Sequence, residues 1–535
     1  MKRRNFIKGA SLTGLMMAGD FSFAENKNGS SEKSSAEDNF RLNEITIDDL
    51  QQLMKNGDLT SGKITALYLQ RINEIDQAGH GLNAVIELNP DAMVIAGKMD
   101  EERKSGKIRG SLHGIPVLVK DNINTGDKMM TTAGSIALLN NHATKDAFII
   151  SKLRDAGAVL LGKTNCSEWS NFRSGRSSSG WSSRGGQTRN ACVLDRSPSG
   201  SSSGSAVAVA ANLCGVAIGT ETDGSIIGPA SYNGIVGIKP TVGLWSRSGI
   251  IPISKTQDTA GPMARTVRDA AIILGLICGV DESDEATKTS EGKNKVDYTK
   301  YLNAEGLKGA RIGVEKSFLK GHEDVVALYK NAIETMKKKG AVIIEVNLIK
   351  KYYDEHYPEF EILQYEFKDG VNNYLSRANT KVKTLEEVIA FNKKNEATAM
   401  PYFKQETLES SQAKGPLTDT EYIEAMNKRS GIIKLIDSIM NENKLDAICG
   451  TSIGLPCPID VINGDNDSGF YFCPPSAVAG YPHITVPMGK AHELPVGLSF
   501  MSGAYKEGEI IKLAYAFEQA TKKREVPKFL KTTIP

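Results

Sequence analysis

Short apolar runs of strand length alternate with segments of helical periodicity along most of this chain. Residues 115–119 and 158–161 are almost unbroken apolar runs, whereas apolar side chains recur every three or four positions across 61–75 and 147–156. Uninterrupted apolar runs are typical of strands that are buried on both faces of a sheet. The alternation therefore predicts an α/β fold in which helices cover both faces of a mixed β-sheet.

The first 45 residues differ from the rest and predict an export segment. An Arg-Arg pair at 3–4 precedes a short, mildly apolar run at 9–19 and a small-x-small cleavage pattern at 22–24. This order resembles a twin-arginine signal over residues 1–24, which predicts a periplasmic or otherwise exported protein. A chance basic start is the alternative. The polar, Ser-rich residues 25–45 predict a disordered spacer.

Charge and metal-ligand patterns bound the function classes. The 535 residues carry 65 Lys and Arg against 63 Asp and Glu, a net charge of +2. No strong field draws such a chain to nucleic acid or an anionic membrane, and no run after the N-terminus is long enough to span a bilayer. Seven Cys and seven His are scattered without metal-ligand spacing. We therefore expect no nucleic-acid partner, no stable membrane insertion, no metal and no cofactor.

A stretch rich in glycine and serine lies near the middle of the chain. Of the 39 residues from 167 to 205, 20 are Gly or Ser, yet Trp169 and Trp181 lie among them. A flexible linker is one interpretation. A loop built for close approach of the backbone fits better, since linkers seldom contain two of the three tryptophans of a chain.

Three candidate nucleophile or base positions are weak when each is taken alone. Ser202 satisfies the GxSxG pattern of α/β-hydrolases, but the preceding residues 194–199 contain Pro198 and do not form a strand. Ser225 lies in a Gly-containing turn just after an apolar run, where backbone N–H groups can face its hydroxyl. Lys120 follows another apolar run, and isolated lysines there are usually surface residues.

Together these segments resemble the amidase signature family, and within it the bacterial peptide amidases. The resemblance rests on residues 114–120 (GIPVLVK), 199–205 (SGSSSGS) and 219–225 (GTETDGS), and it extends over about 46–521. The two family serines are 24 residues apart, a separation that Ser201 and Ser225 keep. Since these motifs run through most of the chain, a single large domain at 46–535 fits better than the three or four domains that length alone suggests.

The resemblance implies a serine amidohydrolase with a Ser-cisSer-Lys triad. Ser225 would attack the amide carbonyl, Ser201 would relay the proton after a cis peptide bond, and Lys120 would be the base. Ser202 would be an auxiliary residue that bonds either within the relay or to the loop backbone. The backbone N–H groups of four residues would form the oxyanion hole. They are those of Thr222, Asp223, Gly224 and Ser225.

Two residues that differ from the common family pattern suggest a peptide amide as the substrate. Asp223 and Ile227 stand where many members have Gly and Arg, and the form TETDGSI resembles peptide amidases, which remove a C-terminal amide. Residues 180–190 and 391–403 resemble the same group. A helical stretch at 352–441 could cap the cleft or simply pack on the core. Two alternatives stay open: a catalytically silent binding protein on this fold, and the amidase subunit of a tRNA-dependent amidotransferase.

Overall fold

The computed structural model describes residues 40–466 and 468–534. The twin-arginine-like signal predicted for residues 1–24, and most of the spacer predicted for 25–45, lie outside the described residues. Export therefore stays a prediction.

The compact unit that contains the sheet begins at Glu44, and the domain boundary at residue 46 stays a prediction. The Glu44 carboxylate forms an ion pair with the Arg524 guanidinium at 2.8 Å, and Asn212 donates to the same carboxylate at 2.9 Å. Burial acts to raise the pKa of Glu44, but the Arg524 charge and these hydrogen bonds outweigh it, so the pKa is lowered. One residue of the segment predicted as a spacer, Glu44, therefore takes part in an ion pair with the folded domain.

Thirteen β-strands lie within the described ranges. They are β1 Val85–Leu88, β2 Pro116–Lys120, β3 Val159–Thr164, β4 Trp181–Ser182, β5 Gly186–Gln187, β6 Val216–Glu221, β7 Val236–Lys239, β8 Thr259–Ala264, β9 Arg311–Glu315, β10 Val342–Val346, β11 Ala447–Thr451, β12 His483–Ala491 and β13 Leu494–Met501. Eleven form one sheet in the order β1-β3-β2-β6-β8-β7-β12-β13-β11-β9-β10, and β4 pairs with β5.

Sixteen α-helices accompany these strands in the described residues. They are α1 Ile47–Asn56, α2 Ser61–Arg71, α3 Ala92–Lys104, α4 Phe148–Asp155, α5 Ser203–Ala210, α6 Ile227–Tyr232, α7 Val267–Ile277, α8 Glu323–Lys338, α9 Leu348–Asp354, α10 Glu359–Arg377, α11 Leu385–Lys394, α12 Glu396–Ala399, α13 Glu406–Gln412, α14 Thr420–Asn443, α15 Pro474–Ala479 and α16 Glu507–Thr521. In the part of the chain that the structure covers, none of them is both long and apolar enough to cross a membrane.

The large sheet is mixed, as predicted. Strand β2 runs parallel to β3 and β6, and β9 runs parallel to β10 and β11, whereas β6 with β8 and β12 with β13 are antiparallel. Every residue of β2 and β6 is buried, which explains their unbroken apolar sequence. The predicted fold class, an α/β domain with a mixed sheet covered by helices, is confirmed.

The parallel pairing of β2 with β6 positions the site. Parallel neighbours end at the same edge of a sheet, so Lys120 at the end of β2 and Glu221 at the end of β6 lie at one edge. The loop that carries Ser225 leaves this edge between β6 and α6. Ligand sites of α/β sheets are commonly found outside the carboxyl ends of the strands.

One predicted helix differs from the structure. The sequence suggests a helix over 61–75, but α2 ends at Arg71 and the chain continues as a π-helix over Ile72–Gly79. In this arrangement the buried Asp76 carboxylate accepts hydrogen bonds from the N–H groups of Ala84 and Val85, at 2.7 and 3.1 Å. The wider turn thus satisfies two backbone donors at the start of β1, which a periodicity argument does not reveal.

The Gly/Ser-rich stretch is packed into the core, which excludes the linker interpretation. Trp169 is 1% exposed and meets Phe367 of α10 edge to face, with ring centroids 6.2 Å apart. Arg173 is fully buried and pairs with Glu168 at 3.1 Å. Its guanidinium also donates to the carbonyl groups of Ala399 and Phe403, at 2.6 and 3.1 Å.

We expect Arg173→Met to lower the free energy of unfolding by about 3–5 kcal/mol, because the change leaves the buried Glu168 carboxylate without its ion-pair partner. It also removes the guanidinium from the faces of the Trp181 and Phe403 rings, at 4.9 and 4.3 Å. Urea unfolding, followed by circular dichroism, measures the change.

Arg268→Met provides the matched control for that measurement. Arg268 pairs with Asp48 at 2.5 Å, but both side chains are about half exposed. Exposed pairs contribute about 0–1 kcal/mol. Equal destabilisation by the two substitutions would contradict a special role for the Arg173 pair.

Candidate active site

Lys120 connects two of the three sequence motifs. Its side chain is fully buried at the end of β2. Its Nζ atom is 2.7 Å from Ser201 Oγ and 2.8 Å from Thr220 Oγ1, with a hydrogen bond to each. Asn122 Nδ2 donates to the same Thr220 hydroxyl at 3.1 Å. Thr220 lies inside the third motif, but no local pattern in the sequence assigns its hydroxyl to Lys120.

Burial lowers the pKa of Lys120 to about 8, against a weaker opposing effect of Asp258 and Glu221. A lysine with such a pKa is partly neutral near physiological pH and can then accept a proton. Burial lowers the pKa of Lys163 and Lys239 to about 8 as well. Of these three described lysines, Lys120 is the one that forms a hydrogen bond with Ser201, so geometry rather than pKa singles it out.

The serine-rich motif brings Ser201 to the lysine. The Gly200–Ser201 peptide bond is cis, as the family resemblance implies, and Ser201 is fully buried. Ser202 Oγ donates to the Thr220 carbonyl at 2.9 Å and accepts from the Thr220 N–H at 3.1 Å. The Ser202 hydroxyl thus bonds to the loop backbone, and its part in the relay stays a prediction.

The GxSxG alternative for Ser202 lacks its structural context. A nucleophile elbow requires a strand directly before the serine. In the described chain, residues 188–202 contain no strand, and Ser202 immediately precedes α5.

Ser225 lies in the short loop between β6 and α6 and remains accessible. It is 8% exposed and lines a cavity together with Gly200 and Asp223. Among the described residues, no hydrogen bond joins Ser225 Oγ to Ser201 Oγ. The relay between the two serines is therefore a prediction about the reacting enzyme.

The loop backbone leaves several donors unused. Within the described chain, the N–H groups of Thr222, Asp223 and Ser225 donate no hydrogen bond. Gly224 has φ +76°, and a Cβ atom there would lie 2.3 Å from the Tyr471 hydroxyl oxygen, so the turn requires glycine. The Gly224 N–H favours the charged form of Glu221 and so acts to lower its pKa. Three of the four predicted oxyanion donors are thus free, and the fourth faces a carboxylate.

The Asp223 side chain departs from the common family pattern and is buried beside other carboxyl groups. Burial, followed by the nearby carboxyl groups of Glu359 and Glu221, raises its pKa well above its usual range. In the described part of the chain its Oδ1 atom has no partner. The Tyr471 hydroxyl donates to the Asp223 carbonyl at 3.1 Å.

The cavity at Ser225 continues into a larger cleft. The smaller part has a volume of about 260 Å³, and the adjoining part, of about 550 Å³, shares Ser170, Thr222 and Ile253 with it. Helix α10 contributes Leu363 to the first and Tyr374 to the second. The helical stretch expected at 352–441 therefore supplies a wall of the cleft.

The described residues contain no cluster of three or more His, Cys, Asp or Glu side chains that could hold a metal ion. All seven cysteines are free thiols.

A buried lysine that contacts one serine, beside a second serine under free N–H groups, is the arrangement of an acyl-transferring serine hydrolase. The comparisons with known proteins agree. The Amidase family model matches residues 63–511, and the chain belongs to that family. It is accordingly an amidase, a hydrolase of amide C–N bonds.

Three relatives illustrate the range of similarity. The crystal structure of native peptide amidase from Stenotrophomonas maltophilia is 47% identical, with a TM-score of 0.85 over 91% of this chain and 99% of that one. A probable amidase of Arabidopsis thaliana is 40% identical over 94% of this chain and 95% of its own length. One subunit of the glutamyl-tRNA(Gln) amidotransferase of Thermoanaerobacter pseudethanolicus is 33% identical over 90% of this chain and 97% of its own length.

Proposed function

We propose that this amidase uses Ser225 as nucleophile, Ser201 as proton relay and Lys120 as base, and that it hydrolyses the C-terminal amide of peptides. The observation that carries the assignment of the relay is the 2.7 Å hydrogen bond between Lys120 Nζ and Ser201 Oγ. Gly200, which precedes Ser201, lines the same cavity as Ser225. When the lysine is neutral, this bond runs from the Ser201 hydroxyl to the amine.

The reaction has two halves that use the same groups. Ser225 Oγ forms a bond to the amide carbon while its proton moves to Ser201, whose own proton moves to Lys120. The free N–H groups of the loop stabilise the resulting oxyanion, a contribution of about 10²–10³-fold per donor. The C–N bond then breaks, and the leaving nitrogen takes a proton from Ser201, which regains one from the Lys120 ammonium.

Water completes the cycle. A water molecule loses its proton through Ser201 to Lys120 as it attacks the acyl–Ser225 ester. The ester C–O bond breaks, Ser225 recovers its proton by the same path, and the carboxylic acid leaves. The net reaction adds one water to an amide and yields a carboxylic acid and ammonia.

The peptide-amide assignment rests on similarity and on the shape of the cleft. The peptide amidase of S. maltophilia shares 47% of its residues with this chain. The two segments that resemble such enzymes meet here, because Trp181 packs against Tyr402 and Phe403 with ring centroids 5.7 and 5.0 Å apart. The smaller cavity would hold the amide end, and the larger part of the cleft would hold the preceding residues.

A substrate panel tests this assignment. We expect kcat/KM for ammonia release from a tripeptide amide to exceed that from acetamide or free glutamine by at least about 100-fold, since remote binding energy is used at the reacting centre. The matched control is the same tripeptide amidated only on a glutamine side chain, with a free C-terminal carboxylate. Equal rates on the two tripeptides would contradict C-terminal specificity.

The same substrate panel tests the alternative that this chain is the amidase subunit of a tRNA-dependent amidotransferase. A chain that acts within an amidotransferase would release ammonia from free glutamine in preference to the peptide amide. Similarity to the amidotransferase chain of T. pseudethanolicus, at 33% identity, is lower than that to peptide amidase.

A further inference from the structure

Glu221, the last residue of β6, contacts the end of the Ser225 loop that leads into α6. The residue is 1% exposed. Oε2 accepts hydrogen bonds from the N–H groups of Ile226 and Ile227, at 2.7 and 2.9 Å. These are the two residues that directly follow Ser225 in the chain. The loop is thus tied at both ends, by the strand and by this side chain.

The hydrogen bonds to Glu221 divide the backbone N–H donors of the loop into two sets. The N–H groups of Ile226 and Ile227 donate to Glu221, and that of Gly224 also faces this carboxylate. Those of Thr222, Asp223 and Ser225 donate to no other described residue and remain available to a ligand. Without the carboxylate, the Ile226 and Ile227 donors would need other partners, because buried backbone N–H groups are almost always paired. The loop could satisfy them only by moving, and Ser225 would move with it.

A buried lysine favours the charged form of Glu221. Lys239, at the end of β7, is fully buried, and its charge favours ionised Glu221 although burial raises the pKa of that carboxyl. The Lys239 ammonium donates a hydrogen bond to the adjacent Pro240 carbonyl at 3.3 Å. Burial lowers the pKa of Lys239, and the charges of Glu221 and Glu507 both oppose that lowering.

We propose that Glu221 is a positioning residue of this amidase, and that its hydrogen bonds to the Ile226 and Ile227 N–H groups hold the Gly224–Ser225 turn so that the nucleophile and the free N–H groups face the same cavity. This inference rests on the proposed role of Ser225. The inference is that Glu221 affects the rate of the reaction although its side chain does not line the cavity.

The chain contains a matched control for this arrangement. Glu315, the last residue of β9, is also fully buried, and its Oε2 accepts from the N–H groups of Leu348 and Ile349, at 2.6 and 3.0 Å. It therefore makes the same contact between a strand end and a helix start. Strand β9 is six strands from β6 in the sheet, or about 30 Å at the usual strand spacing.

The experiment compares Glu221→Gln, Glu221→Asp and Glu221→Ala with the same three substitutions at Glu315. We expect Glu221→Gln to lower kcat about tenfold and Glu221→Ala about 100-fold, with KM within about threefold of wild type, since the loss concerns donors used in the transition state. The rate at which a fluorophosphonate labels Ser225 should fall in parallel. Glu221→Asp keeps the charge and should recover part of kcat.

The Glu315 variants should lose thermal stability while kcat stays within about twofold of wild type. Equal kcat in folded Glu221→Gln and Glu315→Gln, or a kcat loss in every Glu221 variant that merely follows the unfolded fraction, would overturn the positioning role. If wild-type protein neither releases ammonia nor reacts with the fluorophosphonate, the proposed role of Ser225 fails instead, and the two failures are thereby separated.

Discussion

Replacing Ser225 with alanine is expected to lower kcat for amide hydrolysis by at least about 10⁴-fold, because the change removes the oxygen that forms the acyl ester. The fold should survive the change. Ser225 is 8% exposed, and among the described residues its hydroxyl has no hydrogen-bond partner, so the variant leaves no buried polar group unsatisfied. We therefore expect its thermal midpoint to remain within a few degrees of wild type.

The measurement combines ammonia release with fluorophosphonate labelling and mass spectrometry of the labelled peptide. Ser502→Ala is the control, because Ser502 is also buried but donates to the Asp446 carbonyl at 2.8 Å and does not line the cavity. It should label and turn over like wild type. Covalent labelling of the Ser225→Ala protein at Ser201 or Ser202 would show that the nucleophile has been assigned to the wrong serine.

Replacing Lys120 with methionine is expected to lower kcat/KM by about 10³-fold, the usual contribution of a general base. Methionine keeps much of the length of the side chain but cannot accept a proton from Ser201. The residual rate should also lose its pH dependence. In wild type the folded pKa of Lys120 is lowered to about 8, so the neutral, basic form becomes more populated as the pH rises.

The lowered pKa of Lys120 predicts how kcat/KM depends on pH. Below about pH 8, kcat/KM of wild type should rise about tenfold per pH unit and then level off above it. Lys163→Met is the control, since Lys163 is equally buried with a pKa lowered to about 8, yet its Nζ donates to the Ile123 carbonyl and the Thr131 hydroxyl. Its profile should keep the wild-type midpoint. A wild-type rate that falls as the pH rises from about 6 to about 8 would exclude neutral Lys120 as the base.

The sheet and the three motif positions could be predicted because the signal is local in the sequence. The apolar run at 115–119 corresponds to β2, and the run around 216–218 corresponds to β6, which extends to Glu221. Both strands end at the same edge, where the predicted Lys120 and Ser225 segments meet. The spacing between Ser201 and Ser225 indicates which serine of the Gly/Ser-rich motif faces the lysine.

The supporting residues could not be predicted, because their contacts depend on the order of strands. Glu221 and Lys239 end β6 and β7, which are separated in the sheet by β8, a later strand in the chain. No local pattern states that these two charges are near each other. The sequence likewise contains three lysines that the fold buries equally, and the hydrogen bond to Ser201 is what distinguishes Lys120.

Separate segments of the sequence form the reacting groups and one wall of the cleft at Ser225. The groups assigned to bond making lie between residues 120 and 225, whereas α10, which borders both cavities, is drawn from residues 359–377. Substitutions on α10 therefore change the wall of the cleft while the residues proposed to react stay unchanged. An exchange that extends past α10 to residues 399–403 meets a limit at Arg173, whose guanidinium donates to the carbonyl groups of Ala399 and Phe403. A grafted wall has to preserve these two attachment points.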